Sequence, residues 1–483
     1  MPPTPYPLPT RGRGKRFLMN IYFLGVAGAG VSALASVLVS EGHAVTGSDE
    51  GVYPPVSTYL DRLGVKYFTR FDAANVPAEI DLAIIGASAK LKGEDNPELA
   101  ALKARGVPLY TFPEYLGLYT QKRENIVVAG SFGKSTLTAL IAHLLRAEGR
   151  DPGFFIGAVP LDLPVTGHAG TDKEFVLEGD EYVISMADRR SKFVLYHPAH
   201  TLISSLVHDH VNVFPTLESY EAPFAELVNL TPRTGRLVCA RGHGNLERIT
   251  QGRDVIWYGL QPGSGYGADN IEIGEVTRFD LTLPMGGRIT LETELLGLHN
   301  IENIVGAAAL LLELDLISFE SLRAGARSFR GVARRLDKKT TSSRLPCYEG
   351  FGSSYEKARS AIEAVRLHFP ERPLVVVFEP HTFSWRNEEA KPWYDSVFEG
   401  VSRVLVLPPP EHGAAGHAQM SHDEITARIV LAGVNVQGVD NGADVHADLE
   451  RTLNGDEVVL LLSSGPLDGL AETLPKWLDE KFG

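Results

Sequence analysis

Short apolar runs recur along the chain at residues 82–85, 126–129, 175–177, 202–206, 374–378, 404–407 and 458–462, with polar segments of helical length between them. A run that is apolar at successive positions hides both of its faces. These runs therefore predict parallel strands covered by helices on each side, the sequence form of an α/β protein. At the start of the chain, residues 20–24 read as a strand, the glycines at 25, 28 and 30 as a turn, 31–39 as a helix and 44–49 as a second strand. No charged residue occurs from 17 to 39, a length that also suits a membrane span or a signal peptide. Asn20 and the glycines cut that stretch into strand, turn and helix, so no membrane partner and no secretory leader are expected. A Gly-rich alternating segment at 251–298 reads as antiparallel strands added to the middle of the chain. No period of 20–50 residues repeats, which argues against a solenoid.

Breaks in the pattern fall near 119–124 and 330–337. They divide the chain into 19–120, 121–330 and 331–483, as its length of 483 residues suggests at roughly 150 per domain. Residues 1–18 hold five prolines in the first ten positions, followed by Arg11, Arg13, Lys15 and Arg16. They read as a disordered extension, with Met19 an alternative start. Hydrophobic residues make up 44% and charged residues 22%, enough for several cores. The net charge of −14 argues against a sequence-independent nucleic-acid binder, which needs a surplus of cations to release phosphate counterions. The two cysteines, Cys239 and Cys347, exclude a disulfide framework and a cysteine-rich metal site. They fit a reducing, cytoplasmic location.

Three groups of residues point to chemistry. Gly25, Gly28 and Gly30 stand between a strand and a helix, where a backbone without side chains can approach a diphosphate at the helix N-terminus. The spacing is not the strict G-x-G-x-x-G, and a tight strand–helix turn explains it equally well. Asp49 stands where an acid meets a ribose hydroxyl, of NAD or of a nucleotide diphosphate such as UDP. Next, 126–129 lead into Gly130-Ser131-Phe132-Gly133-Lys134-Ser135-Thr136 and a helical stretch at 137–147. Strand, glycine loop, Gly-Lys-Ser and helix together form a phosphate cradle. Lys134 would neutralise β- and γ-phosphates there, and the Ser135 hydroxyl would ligate Mg²⁺. Finally, Glu178, Asp180 and Glu181 follow one strand run, and Asp209-His210 follow another. These groups read as a metal site beside the phosphate loop; the plainer readings are a solvated acidic loop and a structural histidine.

At these residues the chain resembles the Mur ligase family, the ATP-dependent amide-forming enzymes of peptidoglycan synthesis. The loop 130–136 is similar to that family's G-T-x-G-K-[ST]-T, which accounts for the missing upstream glycine. Glu178 matches its Mg²⁺-binding glutamate and His210 its metal-site histidine. Gly297-Leu-His299-Asn300-Ile-Glu-Asn303 resembles H-N-x-x-N, and Arg335 matches the arginine that reaches ATP from the interdomain hinge. The resemblance implies three domains: a Rossmann-like UDP-sugar-binding domain, a central P-loop ATPase-like domain and a Rossmann-like C-terminal ligase domain. It implies an ATP site of Gly130, Ser131, Phe132, Gly133, Lys134, Ser135, Thr136, His299, Asn300, Asn303 and Arg335, and Mg²⁺ ligands Ser135, Glu178 and His210. Lys134, Glu178 and His210 would be catalytic. A UDP-N-acetylmuramate site would involve Gly25, Ala27, Gly28, Ala29, Gly30, Asp49, Ser57 and Ser88, supported by Asn96-Pro97-Glu98. Residues 52–58 and Asp188-Arg-Arg-Ser-Lys-Phe193 resemble the murein tripeptide ligases, and 461–469 are similar to their last strand–turn. That branch joins L-Ala-γ-D-Glu-meso-diaminopimelate to UDP-N-acetylmuramate; the branch that adds L-alanine is the nearest alternative.

The chain departs from the family at 349–355, where Asp-Asp-[Tyr/Phe]-[Gly/Ala]-His-His-Pro is expected. Glu349 keeps one carboxylate, Gly350 replaces the other, and Ser353 and Ser354 replace the histidines. Asn212 stands for an aspartate and Phe132 for a histidine. An altered amine, a rewired ATP contact through Glu349 and a lost activity all fit these changes. Survival of Lys134, Glu178, His210, Asn300, Asn303 and Arg335 favours a working ligase, and Glu379-Pro380-His381 still resembles the family's E/Q-P-H. An NAD-dependent oxidoreductase would leave the loop 130–136 idle, and a non-catalytic UDP-sugar-binding module would account only for the changes at 349–355.

Overall fold

The computed structural model describes residues 18–52, 56–86, 95–184, 188–210, 212–261, 263, 265–410 and 419–483. The expected N-terminal extension falls outside these except for Leu18, as do residues 53–55 and Ser88. The apolar runs become buried strands. The first sheet contains β1 (Asn20–Leu24), β2 (Ala44–Ser48), β3 (Lys66–Phe68), β4 (Leu82–Ile85) and β5 (Leu109–Thr111) in the order β3-β2-β1-β4-β5. All of its pairings are parallel. Helices α1 (Ala29–Ser40), α2 (Val56–Arg62), α3 (Pro97–Ala104) and α4 (Phe112–Thr120) connect or follow these strands. Strand order reverses about β1, and the crevice at such a reversal is where open α/β sheets take ligands.

The second sheet contains β6 (Glu124–Ala129), β7 (Gly153–Phe155), β8 (Gly167–His168), β9 (Glu174–Glu178), β10 (Pro198–Ile203), β11 (Leu237–Ala240) and β12 (Ile256–Tyr258). Its order is β12-β11-β10-β6-β9-β7-β8, parallel except for β7 with β8. Helix α5 (Lys134–Ala147) follows β6, and α6 (Leu217–Leu230) and α7 (Gly244–Ile249) come later. The apolar run at 202–206 enters the sheet only through Leu202 and Ile203. Ser204 and Ser205 leave it to bond the glycine loop: Ser204 Oγ donates to Phe132 O, and Phe132 N–H donates to Ser205 Oγ at 2.9 Å.

A three-stranded sheet of β13 (Gly267–Glu272), β14 (Thr277–Thr282) and β15 (Arg288–Thr293) occupies the Gly-rich segment, followed by α8 (Leu298–Glu313) and α9 (Phe319–Ser328). The last sheet contains β16 (Arg335–Lys338), β17 (Cys347–Phe351), β18 (Leu374–Phe378), β19 (Arg403–Val406), β20 (Val436–Gly438) and β21 (Val458–Ser463). Its order is β16-β17-β21-β18-β19-β20, with only β16 antiparallel to its neighbour. Helix α10 (Tyr355–His368) follows β17. Two compact units result. One comprises residues up to 268, 281–289 and 302–326; the other comprises 269–280, 290–301 and 327–483. Among the described residues no helix is long and apolar enough to cross a membrane.

Candidate functional site

Two helices of the first unit begin directly after glycine loops and carry no side-chain cap. Helix α1 starts from Gly28, and α5 starts from Gly133, whose φ of +82° is left-handed. Helix α3, by contrast, is capped by Asn96 and α6 by Thr216. Uncapped N–H groups at a helix start are donors held ready for an anion.

The turn after β1 is shaped by Asp49. Its Oδ2 accepts the Ala27 N–H at 3.0 Å, and its Oδ1 accepts the Glu50 N–H at 2.8 Å. Asp49, expected to meet a ribose, thus also holds the glycine turn; Oδ1 accepts the Gly51 N–H as well, at 3.4 Å, and Oδ2 keeps a second lone pair for a ligand. Asn96-Pro97-Glu98 has a structural explanation: Asn96 Oδ1 caps α3, and Glu98 accepts from Ser48 Oγ, from Asn75 Nδ2 at 2.7 Å and from Asp72 N at 3.1 Å. Glu98 is fully buried below the end of β2. Ser57 lies in the first turn of α2.

In the second loop each residue has a separate task. Ser131 is tied to the strand end after β10: its Oγ donates to Val207 O at 2.7 Å and accepts from Val207 N at 2.8 Å. Tyr220 OH donates to it at 2.9 Å. Phe132 is 53% exposed. A β-carbon at Gly133 would stand 3.0 Å from Asn303 Oδ1, so the loop and the second turn of α8 come together. Lys134 Nζ donates to Gly130 O at 2.6 Å and lies 2.8 Å from Glu181 Oε2. Ser135 Oγ donates to Glu178 Oε1 at 2.8 Å, while Glu178 Oε2 accepts the Gly157 N–H at 2.7 Å. Thr136 is buried in the first turn of α5.

His210 points elsewhere. Its Nε2 lies 3.5 Å from Glu181 Oε1, and it stands at a left-handed φ of +54°. The hydrogen bond to Glu181 holds its imidazolium form above the usual histidine range, against the opposing effect of burial and with help from Asp209. Ser135 and Glu178 are therefore brought together, and His210 is joined to Glu181 instead. Among the described residues no three His, Cys, Asp or Glu side chains form a metal-holding group. The Ser135 hydroxyl and the Glu178 carboxylate still fit Mg²⁺, which takes oxygen ligands and draws the rest of its shell from water and phosphate.

One cavity of about 560 Å³ joins the two loops within this unit. Gly25, Gly28, Gly30 and Asp49 line one end, Lys134 and Glu178 the other. Asp180 and Lys192 also line it, with Lys192 Nζ 2.5 Å from Asp180 Oδ2. Burial pushes the Asp180 carboxyl up, but the Lys192 ammonium and the Tyr182 N–H outweigh it and hold the carboxyl below its ordinary value.

The remaining expected residues belong to the second unit. Asn300 Nδ2 donates to Leu296 O at 2.8 Å, and burial lowers the His299 imidazole, helped by charge on His368. Arg335 is exposed on β16, whereas the preceding Arg334 is engaged: its Nε lies 3.1 Å from Glu349 Oε1 and its Nη2 donates to Gly465 O at 2.7 Å. Lys339 Nζ donates to the other Glu349 oxygen at 3.0 Å. A β-carbon at Gly350 would lie 3.3 Å from Leu462 Cδ1, 3.5 Å from Ala361 Cβ and 3.6 Å from Leu336 Cδ2. The missing aspartate would thus sit among apolar groups, and Glu349 carries the charge of this strand end, held by two cations. Ser354 caps α10.

Tyr220 and Ser205 join the site without a place in the sequence reading, Lys192 stood there only within the 188–193 resemblance, and Glu181, read among metal-site groups, lies against Lys134 and His210 instead. Glu181 lay within the acidic run after β9, so a signal existed. The others reach the site from 205, 220 and 192, and only the fold brings them there.

The chain matches the model of the Mur ligase family catalytic domain over residues 20–123 and that of the Mur ligase middle domain over 128–311. UDP-N-acetylmuramate–L-alanine ligase of Roseiflexus sp. (strain RS-1) is 31% identical over 92% of this chain and 96% of its own length. UDP-N-acetylmuramate–L-alanyl-γ-D-glutamyl-meso-2,6-diaminoheptandioate ligase of Escherichia coli (strain K12) is 27% identical over 96% of this chain and 99% of its own. The crystal structure of UDP-N-acetylmuramate-alanine ligase from Thermotoga maritima shares the three-domain fold, with a TM-score of 0.76 at 20% identity over 96% of this chain and all of that one. With a glycine loop before the uncapped α5, a second uncapped helix facing the same cavity and relatives matched along nearly their whole length, the chain belongs to the Mur ligase family of ATP-dependent amide-bond-forming enzymes.

Proposed function

We propose that the protein joins the lactyl carboxylate of UDP-N-acetylmuramate to an amine at the expense of ATP. The cavity that runs from the glycine turn of α1 to Lys134 and Glu178 carries this reading, because one enclosure then holds a diphosphate at one end and a phosphoryl donor at the other. A carboxylate oxygen attacks the γ-phosphorus of ATP, and ADP leaves. The amine nitrogen then attacks the acyl carbon, inorganic phosphate leaves, and the nitrogen loses a proton.

Lys134, the loop N–H groups and the α5 N-terminus bind the phosphates and stabilise charge on the transferring group. Gly130 O and Glu181 orient the Lys134 ammonium. Mg²⁺, held by Ser135 and Glu178, would supply charge neutralisation for the transferring phosphates, while His210, expected as a further ligand, faces Glu181. Asn303, whose Oδ1 lies beside Gly133 in the same unit, would contribute to the ATP site.

The amine we propose is L-Ala-γ-D-Glu-meso-diaminopimelate, on the likeness of residues 188–193 to the tripeptide ligases and on the relative from E. coli. L-Alanine is the second reading, favoured by the 31% identity to the Roseiflexus enzyme. ADP release with ATP, Mg²⁺, UDP-N-acetylmuramate and a panel of amino acids and muropeptides decides between them. Turnover that requires both the UDP-sugar and one amine, and that disappears in Lys134→Ala with UDP-sugar binding retained, is the expected result. ADP release indifferent to the UDP-sugar would refute it.

A further inference from the structure

The cavity wall between the glycine turn and Glu178 carries a charge pair to which the chemistry above gives no role. Lys192 opens a short turn of 3-10 helix (Lys192–Leu195) and is 7% exposed, and its Nζ donates to Asp180 Oδ2 at 2.5 Å. The ammonium lies 5.6 Å from the centre of the Phe112 ring and 5.5 Å from that of Tyr182. Phe112 in turn abuts α1, where a β-carbon on Gly30 would stand 3.0 Å from the ring. Asp180 follows Glu178 by two residues. Lys192 is thus placed between the helix N-terminus at one end of the cavity and the phosphate loop at the other.

Charge around the cavity makes this position consequential. Asp49, Glu50, Glu178 and Asp180 line it, against the cations Lys134 and Lys192. The bound acid is itself an anion, with a diphosphate and a carboxylate. The N–H groups at the start of α1 serve the diphosphate, and Lys134 serves the phosphates of ATP. The carboxylate must approach Lys134 past Glu178 and Asp180, both of which repel it. Among the described residues lining the cavity, Lys192 is the cation left for it. An ammonium has three N–H donors; Asp180 takes one and fixes the group in place.

We infer that Lys192 receives the lactyl carboxylate of the bound UDP-sugar and holds it for phosphorylation, with Asp180 positioning the ammonium. The inference rests on the UDP-N-acetylmuramate reading given above.

Titration calorimetry of the full chain with UDP-N-acetylmuramate and with UDP-N-acetylglucosamine tests it, since the second ligand keeps the diphosphate and lacks the lactyl carboxylate. Lys192→Met should weaken UDP-N-acetylmuramate ten-fold or more and leave UDP-N-acetylglucosamine within two-fold; Lys192→Arg should recover most of the loss. The single variant strands Asp180 without its partner, so Asp180→Asn with Lys192→Met removes both charges and should show the same selective loss. Equal weakening of both ligands would assign the lysine to the diphosphate and overturn the inference. Unchanged binding of both would make the pair structural and overturn it as well. Wild-type protein that binds UDP-N-acetylglucosamine but no more tightly UDP-N-acetylmuramate would defeat the functional reading itself, before any variant is made.

Discussion

Glu181 holds Lys134: its Oε2 lies 2.8 Å from the ammonium, while its Oε1 lies 3.3 Å from Tyr220 OH and 3.5 Å from His210 Nε2. The carboxylate is 1% exposed. It therefore sets the position of Lys134 at the start of α5 and of the His210 imidazole at once. Removing one partner of such a pair strands the others, at roughly 1–3 kcal/mol because Lys134 is partly exposed. Glu181→Ala should lower kcat ten-fold or more and change KM for ATP less than three-fold, since the lysine keeps its charge and loses its orientation. Glu181→Gln, which still accepts hydrogen bonds, should fall between. Steady-state kinetics with ATP varied checks this, and a rise in KM alone would contradict it.

The strands were legible because both faces of each are buried, which leaves no polar alternation to confuse them. Residues 20–24, 82–85 and 374–378 become β1, β4 and β18 with the same ends. The run at 202–206 misled at its C-terminal end, where Ser204 and Ser205 bond the glycine loop and not a neighbouring strand. In the candidate site, local spacing singled out Gly130–Thr136 and Glu178, and the fold sets Ser135 Oγ 2.8 Å from Glu178 Oε1. Glu98, read in the sequence only within a resemblance, is buried and closes the end of β2 through Ser48. Lys192 was legible only as part of a resemblance, because its meaning comes from Phe112 and Asp180, which the fold supplies.

Gly130 has φ +142°, and a β-carbon there would lie 2.2 Å from Ser204 Oγ and 3.0 Å from Ser205 N. Both the backbone and the space demand glycine. Gly130→Ala should displace the carbonyl that orients Lys134 and weaken ATP binding ten-fold or more, with UDP-sugar affinity within two-fold of wild type. Paired binding isotherms read both. Unaltered ATP affinity would show that the loop can relax around the methyl group.

Glu98 accepts three hydrogen bonds in a fully buried setting, from Ser48, Asn75 and Asp72. Truncation leaves those donors unsatisfied, at roughly 2–4 kcal/mol in total. Glu98→Ala should therefore lower the thermal midpoint by several degrees and leave KM for the UDP-sugar within three-fold. A large KM effect with an unchanged midpoint would make Glu98 a ligand-contacting residue instead.

Asp337 belongs to the charge cluster of Arg334, Lys339 and Glu349. Its Oδ1 accepts the Arg334 N–H at 2.7 Å, and its Oδ2 lies 3.3 Å from Lys339 Nζ. Burial pushes its carboxyl up from 3.8 to about 6, with Glu349 adding to the rise and Lys339 opposing it. The folded chain thus holds this proton more tightly than the unfolded chain does. The stabilisation is fully present below about pH 4 and is lost as pH rises through about 6, above which a carboxylate stays charged in a buried place. The whole effect is at most about 3 kcal/mol. Asp337→Asn keeps an acceptor for Arg334 and does not titrate. Urea midpoints at pH 4 and pH 7.5 should show the variant gaining on wild type as pH rises. A gap between the two proteins that is equal at both pH values would show that Asp337 does not titrate in this range.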